Sequence, residues 1–327
     1  MERASIIKSQ KLIKLGHQFD PIYDTDLSNH LPMALSALEL CGATQEQIEH
    51  FYRFYTPRLE KMRADNTDHR QPATLGEPDH FHVHRKAIRT QLINLGIEKT
   101  LKRQLPALLP GLSSNAFHCL IRLSYAVQAQ EIDEIAIALA EWSSVNQTLG
   151  PLTTTQTYNA EQQLEQAKSQ FGEKKLEFSN ISKRVIHIIN HDKFQAIRPI
   201  PENLSIETVA KVVVTQFLHT NDFTLLHGVT AFQAFLLLCP YFDDQHQALH
   251  YFWQAYVAVY ASASHTPVVP YTQQPSTPQW QTWFQQCLQS LDDHTIKLVY
   301  SCSYIYQFFP YPEYLAAVEM RLSKEPK

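Results

Sequence analysis

The chain has 327 residues, 44% hydrophobic and 18% charged, a balance that suits a folded protein with a sizeable core and excludes wholesale disorder. Only 8 residues are glycine, and no two lie closer than Gly96 and Gly111; a P-loop or a G-x-G-x-x-G dinucleotide fingerprint crowds several glycines around a phosphate, so both are excluded. The formal net charge of −4 offers no basic footprint for nucleic acid.

No uninterrupted apolar run reaches the roughly 18 residues of a membrane span, so no transmembrane helix is expected. The stretch from Met1 to Lys14 carries three lysines and one arginine but no apolar segment, so a secretory leader is not expected either. Five scattered cysteines, Cys41, Cys119, Cys239, Cys287 and Cys302, read as reduced, buried small side chains, which points to a cytoplasmic protein. Histidine is the unusual residue, with 16 in the chain.

Apolar residues recur with helical spacing from end to end, and alternating strand patterns are scarce. The spacing predicts helices over 29–40, 45–63, 81–96 and 97–108, the first entered through Ser28 and Asn29 as caps. After the Leu105-Pro106 and Pro110-Gly111 punctuation, the segment 113–148 predicts two helices broken near Gln130. A turn-rich connection at 150–157 leads to an exposed, Glu/Gln/Lys-rich helix over 159–175. Three strongly apolar helices follow at 206–218, 222–239 and 245–262. Pro267, Pro270, Pro275 and Pro278 mark 264–279 as a loop, and helices over 280–291 and 293–309 close the pattern. No repeat of fixed period is visible, so a solenoid is not expected. The fold class read from this is all-α: a single multi-helix domain over 1–327, with a metal site between helices.

The metal enters through four histidines. His30 heads the apolar run Leu31-Pro32-Met33-Ala34-Leu35, His118 lies within Phe117-His118-Cys119-Leu120-Ile121, His227 within Leu225-Leu226-His227-Gly228-Val229, and His294 near the start of the last apolar run. A single histidine in an apolar helix is usually a hydrogen-bonded core residue. Four on four helices are harder to satisfy separately, because each buried imidazole without a partner loses about 1–3 kcal/mol. A shared ion satisfies all of them, and neutral imidazole suits Zn, Fe, Cu or Ni. Lys297, three residues after His294, shares its helix face, together with Ser301. A surface lysine snorkels to water; a buried one favours the neutral amine, which takes up carbon dioxide to form an anionic carbamate. Tyr125, Trp142, Tyr256 and Tyr260 are aromatic candidates to line a substrate pocket, against the competing role of core packing.

Several of these segments resemble the questin oxidase-like family. The similarity runs through Asn29-His30-Leu31-Pro32-Met33-Ala34-Leu35, Thr74-Leu75-Gly76, Leu105-Pro106-Ala107-Leu108 and Ala116-Phe117-His118-Cys119-Leu120-Ile121-Arg122. It continues through Ala138-Leu139-Ala140-Glu141-Trp142 and Leu226-His227-Gly228-Val229-Thr230 to Asp292-Asp293-His294-Thr295-Ile296-Lys297. In order, these pieces cover about residue 21 to about residue 300. The resemblance implies an all-helical fold and an oxidoreductase that oxidises aromatic polyketides with dioxygen, including ring opening of anthraquinones. It also implies an Fe(II) centre held by His30, His118, His227, His294 and a carboxylated Lys297, and NADPH as a reductant, for which the chain has no glycine-rich fingerprint. The implied partners are a small aromatic substrate and dioxygen, with neither nucleic acid nor membrane. None of these pieces falls within 150–203, which leaves the substrate pocket undefined.

Two other classes compete. The adjacent pair His191-Asp192 is the dipeptide of helical HD-type metal phosphohydrolases. Alternatively, the chain is a helical interaction protein with a decayed metal site, binding through 150–175 and 264–279.

Overall fold

A computed structural model describes residues 7–66, 72–172, 180–266 and 277–324. Among these residues the chain is all-α, with sixteen α-helices and two strand pairs of two residues per strand. Helix α1 (Gln10–Gly16) leads into an antiparallel hairpin, β1 (Ile22–Tyr23) with β2 (Leu27–Ser28), and then α2 (Leu31–Leu40) and α3 (Gln45–Tyr55). Helices α4 (Phe81–Leu95) and α5 (Ile97–Leu108) precede α6 (His118–Ala129) and α7 (Ile132–Ser144). The next stretch holds β3 (Thr154–Thr155), α8 (Ala160–Phe171), α9 (Ile181–Ile189), α10 (Asp192–Ile197) and β4 (Ile200–Pro201), with β3 and β4 parallel. Five longer or apolar helices follow: α11 (Ile206–Thr220), α12 (Phe223–Leu238), α13 (Gln245–Ala261), α14 (Trp280–Cys287) and α15 (Asp293–Tyr306), and α16 (Pro312–Leu322) ends the described chain.

The predicted helices form, with instructive changes at their ends. The expected 45–63 helix stops at Tyr55 and tightens into a 3₁₀ turn over Thr56–Arg58, because Pro57 lacks the N–H an α-helix needs. The break near Gln130 is a left-handed residue, φ 54°, at the end of α6. The 159–175 helix is half-buried rather than exposed: Ala160, Gln163, Leu164, Ala167 and Phe171 are buried, and α8 packs on α13. The spacing alone does not mark α1, α9, α10 and α16, the first three of which run to only 7, 9 and 6 residues. Of the proline-rich loop, residues 267–276 lie outside the described residues, as do the first six of the leader-like stretch.

At the centre, α2, α6, α12 and α15 close a ring: α2 packs on α6, α6 on α12, α12 on α15, and α15 back on α2. The segment Phe223–Tyr241 is long and apolar enough to cross a membrane, contrary to the expectation from uninterrupted runs, since polar residues such as His227 and Gln233 are outweighed on average. Seventy-eight per cent of that window is buried in the protein, so its apolarity goes into packing on three sides by α6, α11 and α15. Outer helices brace the ring, with α7 against α6, α11 against α12 and α16 against α15. The five cysteines are all free thiols.

Close approach inside this ring of helices depends on Gly228. A Cβ there would stand 2.6 Å from Cε2 of Tyr256, whose fully buried ring presses α13 onto α12. Alanine ordinarily favours a helix by about 1 kcal/mol over glycine. Here overpacking reverses the sign: Gly228→Ala should lose about 1–3 kcal/mol, measured by urea unfolding at constant m-value. An unchanged or raised midpoint would show that Tyr256 gives way freely.

Candidate metal centre

Each helix of the central ring brings one histidine to its N-terminal end. His30 is the N-cap of α2, His118 the first residue of α6, His227 one turn into α12 and His294 the second residue of α15. The imidazoles form a ring in the same cyclic order as their helices. Centroid separations are 4.6 Å for His30–His118, 4.8 Å for His118–His227, 5.2 Å for His227–His294 and 4.8 Å for His294–His30. Ligand atoms of His30, His118 and His294 lie within 4.8 Å of one another.

The hydrogen bonds fix which nitrogen is free. Nδ1 of His118 sits 2.6 Å from the Asn115 carbonyl, and Nδ1 of His227 sits 2.8 Å from the Phe223 carbonyl. A carbonyl only accepts, so each Nδ1 must donate, and a neutral ring then carries its lone pair on Nε2. His30 Nδ1 likewise faces Asp293 Oδ2 at 2.6 Å, and His294 Nδ1 lies 3.3 Å from the same oxygen. The Nε2 atoms of His30, His118, His227 and His294 are all buried and all without a hydrogen-bond partner. Leaving four such acceptors dry costs about 1–3 kcal/mol each, so the arrangement fits a cation held by imidazole nitrogen, oriented from behind by carbonyl and carboxylate.

Burial keeps His30, His118 and His227 neutral. Desolvation, helped by the Lys297 charge and resisted by Asp293, pushes His30 down to about 3. Desolvation and neighbouring basic groups hold His118 and His227 well below the usual imidazole range. Asp293 is the common anion. Burial alone would raise its pKa, but the basic groups of His294, Lys297 and His30 outweigh that and hold it well below the carboxylate range. Its Oδ2 also lies 3.0 Å from Nζ of Lys297, itself only 2% exposed. The neighbouring Asp292 caps α15 by accepting the His294 N–H at 3.0 Å and is clamped by Arg321 from α16.

Why His118 points inward is a matter of backbone. Asn115, Ala116 and Phe117 are consecutive non-glycine residues in the left-handed region, with φ of 49°, 52° and 69°. Each such residue costs roughly 1–2 kcal/mol. Side-chain bonds hold the turn: Asn115 Nδ2 donates to Ser28 Oγ at 2.7 Å and to Glu141 Oε1 at 3.2 Å, while Ser182 Oγ donates to Asn115 Oδ1 at 3.0 Å. The turn thereby aims the Asn115 carbonyl at His118.

The sequence-predicted residues His30, His118, His227 and His294 thus form one ring of imidazoles, and Lys297 lies next to it, held on Asp293. The aromatic candidates do not join them. Trp142 is fully buried and donates its indole N–H to the Gly111 carbonyl at 3.1 Å, while Tyr256 packs on Gly228, Tyr260 on His265 and Tyr125 beside Tyr300. The aromatic ring lying on the quartet is Phe223, 4.5 Å from His294 and 4.9 Å from His227, and 49% exposed. Phe223, Asn115 and Tyr55, whose hydroxyl accepts the His30 N–H at 3.1 Å, had no signal in the spacing of residues. The His191-Asp192 pair is spent on local structure: His191 Nδ1 accepts the Lys193 N–H at 3.1 Å and caps α10.

Fold and site together describe an all-helical protein whose central bundle gathers imidazoles and a buried lysine around one point. The questin oxidase-like family model matches residues 27–216 and 204–302, so the chain belongs to the questin oxidase-like family, and at that level it is an oxidoreductase-type enzyme. No curated protein matches the chain.

Glu141 makes the support of Asn115 pH-dependent. Burial pushes its carboxyl from 4.5 up to about 7, against the pull of Arg122 and the Asn115 bond. Between those values the unfolded chain has released this proton and the folded one retains it, so this group's contribution is complete below about 4.5 and falls as pH rises through 7. Relative to wild type, Glu141→Gln should gain on the order of 3 kcal/mol in unfolding free energy from pH 4.5 to 7.5. A parallel pH profile for the two proteins, by denaturant titration, would contradict this.

Proposed function

We propose that this protein is a non-haem iron-dependent oxygenase that oxidises or opens a ring of a polycyclic phenol or quinone. The observation that carries the reading is the set of four buried Nε2 lone pairs without partners, in a chain whose family is questin oxidase-like. His30, His118, His227 and His294 would hold the ion, with Lys297 as a fifth ligand after carboxylation. Imidazole nitrogen with one hard anionic oxygen suits Fe(II) better than Cu(I). Bound there, iron supplies the one-electron chemistry that lets dioxygen react with an electron-rich ring.

The chain's own residues do the rest. The Nδ1–H bonds fix tautomer and orientation of the imidazoles. Four helix N-termini aimed at one point favour negative charge, which assists a deprotonated phenol beside the quartet. Phe223 shields the outer side from water and presents an aromatic face. An ammonium at Lys297 would repel a cation held by His294. Carboxylation replaces that charge with an anion and leaves one N–H, which still donates to Asp293. Dioxygenation needs no added reductant; NADPH is required only where one oxygen atom leaves as water.

Elemental analysis after anaerobic loading should find about one iron per chain, lost in His118→Ala and His227→Ala while helical circular dichroism is retained. Absence of any transition metal, or full iron in both variants, would overturn the ligand assignment. Lys297→Ala should lose most of its iron with no rescue by bicarbonate, and Lys297→Glu should recover part. Oxygen uptake by loaded protein with hydroxyanthraquinones, with and without NADPH, tests the chemistry; no uptake with any of them would overturn the substrate class.

A further inference from the structure

A second cluster of ligand-type side chains stands apart from the quartet, where the end of α1 meets the start of α7. His17 is the C-cap of α1, and Glu131, Asp133 and Glu134 occupy the N-cap and first turn of α7. Ligand atoms of His17, Glu131 and Asp133 lie within 4.8 Å of one another. His17 Nε2 lies 3.2 Å from Glu134 Oε2 and 3.5 Å from Glu131 Oε2.

Acidic residues in a first turn ordinarily serve the helix dipole, so the carboxylates alone say nothing of a ligand. The independent observation lies in the buried atoms. Nε2 of His17 and Oε2 of Glu134 are both shut off from water and make no aligned hydrogen bond, and Glu134 is only 1% exposed. An imidazolium placed there merely to pair with these carboxylates would align its N–H with one of them. Tetrahedral zinc, with bonds of about 2.0–2.2 Å to nitrogen and oxygen, sets its ligand atoms about 3.3–3.5 Å apart. The separations around His17 Nε2 are close to that.

The carboxylates are also held from behind. Arg122 Nε donates to Glu134 Oε1 at 2.7 Å, and Arg89 Nε donates to Asp133 Oδ1. Glu131 Oε2 accepts the Glu134 N–H at 2.6 Å, which fixes its side chain. Such partners orient metal ligands. Lys14 is the competing cation, with Nζ 4.0 Å from Glu131 Oε1; its side chain is 60% exposed, so it moves into water at little cost.

We propose that His17, Glu131, Asp133 and Glu134 form a second metal site, for Zn(II), that ties α1 to α7. It is independent of the function proposed above, and none of its residues belongs to the quartet. Imidazole together with carboxylate oxygen suits zinc better than Mg(II) or Ca(II), which take oxygen ligands. An ion there braces α7 at the Glu134–Arg122 pair, on the helix that also carries Glu141.

The quartet also offers imidazoles to zinc, so the test uses the full chain with His118→Ala and His227→Ala as parent. Stripped with chelator and reloaded, the parent should bind about one Zn(II) per chain. Its affinity, read by competition with a chromogenic chelator, should fall at least about tenfold in His17→Gln and in Asp133→Asn. Both changes fall on partly exposed side chains, and far-ultraviolet circular dichroism should not move. Saturating zinc should raise the melting temperature of the parent by about 2 °C or more and leave that of His17→Gln unchanged. Excess Mg(II) or Ca(II) should leave the zinc in place.

Absence of zinc from the parent, or parental affinity in both variants, would overturn the site and leave His17 an ion-pair partner only. Displacement by Mg(II) or Ca(II) would overturn the assignment to zinc. If the parent does not fold, zinc-soaked crystals of the wild type decide by anomalous scattering at the zinc edge. A peak within bonding distance of His17 Nε2 and a carboxylate of α7 supports the site; no peak beside His17 overturns it.

Discussion

Four helices that begin at one point set the terms for everything else in this protein. A helix start leaves backbone N–H groups unpaired and carries a partial positive charge. Two of the four starts, α12 and α15, are capped by the side chains of Asp222 and Asp292. At α2 the side chain of Asn29 accepts the Leu31 N–H at 3.0 Å, and α6 has no side-chain cap. Placing imidazoles there adds Nδ1–H donors that need acceptors of their own, and Asp293 supplies one to His30 and His294. One carboxylate oxygen faces His30, His294 and Lys297 within 3.3 Å, so a single anion orients two rings and neutralises the lysine.

The charge balance has a consequence for what the point can hold. Converging helix starts oppose a bare cation and favour an anion. Asp293 alone offsets part of that opposition, and it is shared among three basic side chains. A metal ion would therefore be better held with a further negative ligand, and Lys297 is the side chain placed to become one by carboxylation. The same field favours the ionised form of a phenol over the neutral one. In the function proposed above, metal, modified lysine and phenolate would reinforce one another, whereas an unmodified Lys297 with a bound cation would set like charges against each other.

The legible part of the site is the part built on regular helix. His30, His118, His227, His294 and Lys297 could be read because helical periodicity made each an exception on an apolar run, and three-residue spacing put His294 and Lys297 on one face. Asn115 could not, since its role depends on three successive left-handed residues that local propensity argues against. Phe223 looks in sequence like any apolar first residue of a helix. Tyr125, Trp142, Tyr256 and Tyr260, weighed between a pocket and the core, are all buried in the core. Aromatic content near a candidate site is uninformative, because large rings are what a helical core uses to fill space. The half-buried α8 was likewise misread, since its Gln163 is a core residue that donates to the Ile197 carbonyl and accepts from the Trp253 indole.

The strained turn before His118 raises the question of what prevents it from relaxing into helix. Its anchors lie on elements far apart in sequence: Ser28 from the hairpin, Glu141 from α7 and Ser182 from α9. Glu141 is in turn tied to Arg122, four residues after His118, and Arg122 donates to Glu134 at 2.7 Å, all three groups being buried. Removing one partner from such a buried ionic group strands a charge and typically costs 3–5 kcal/mol. That cost is comparable to the roughly 1–2 kcal/mol per residue held in the three left-handed positions. The Arg122 network therefore fixes α6 against α7 firmly enough to hold the turn, and the turn fixes His118. A change at Arg122 should be felt at the imidazole four residues away as a change in its orientation before it is felt as a loss of the bundle.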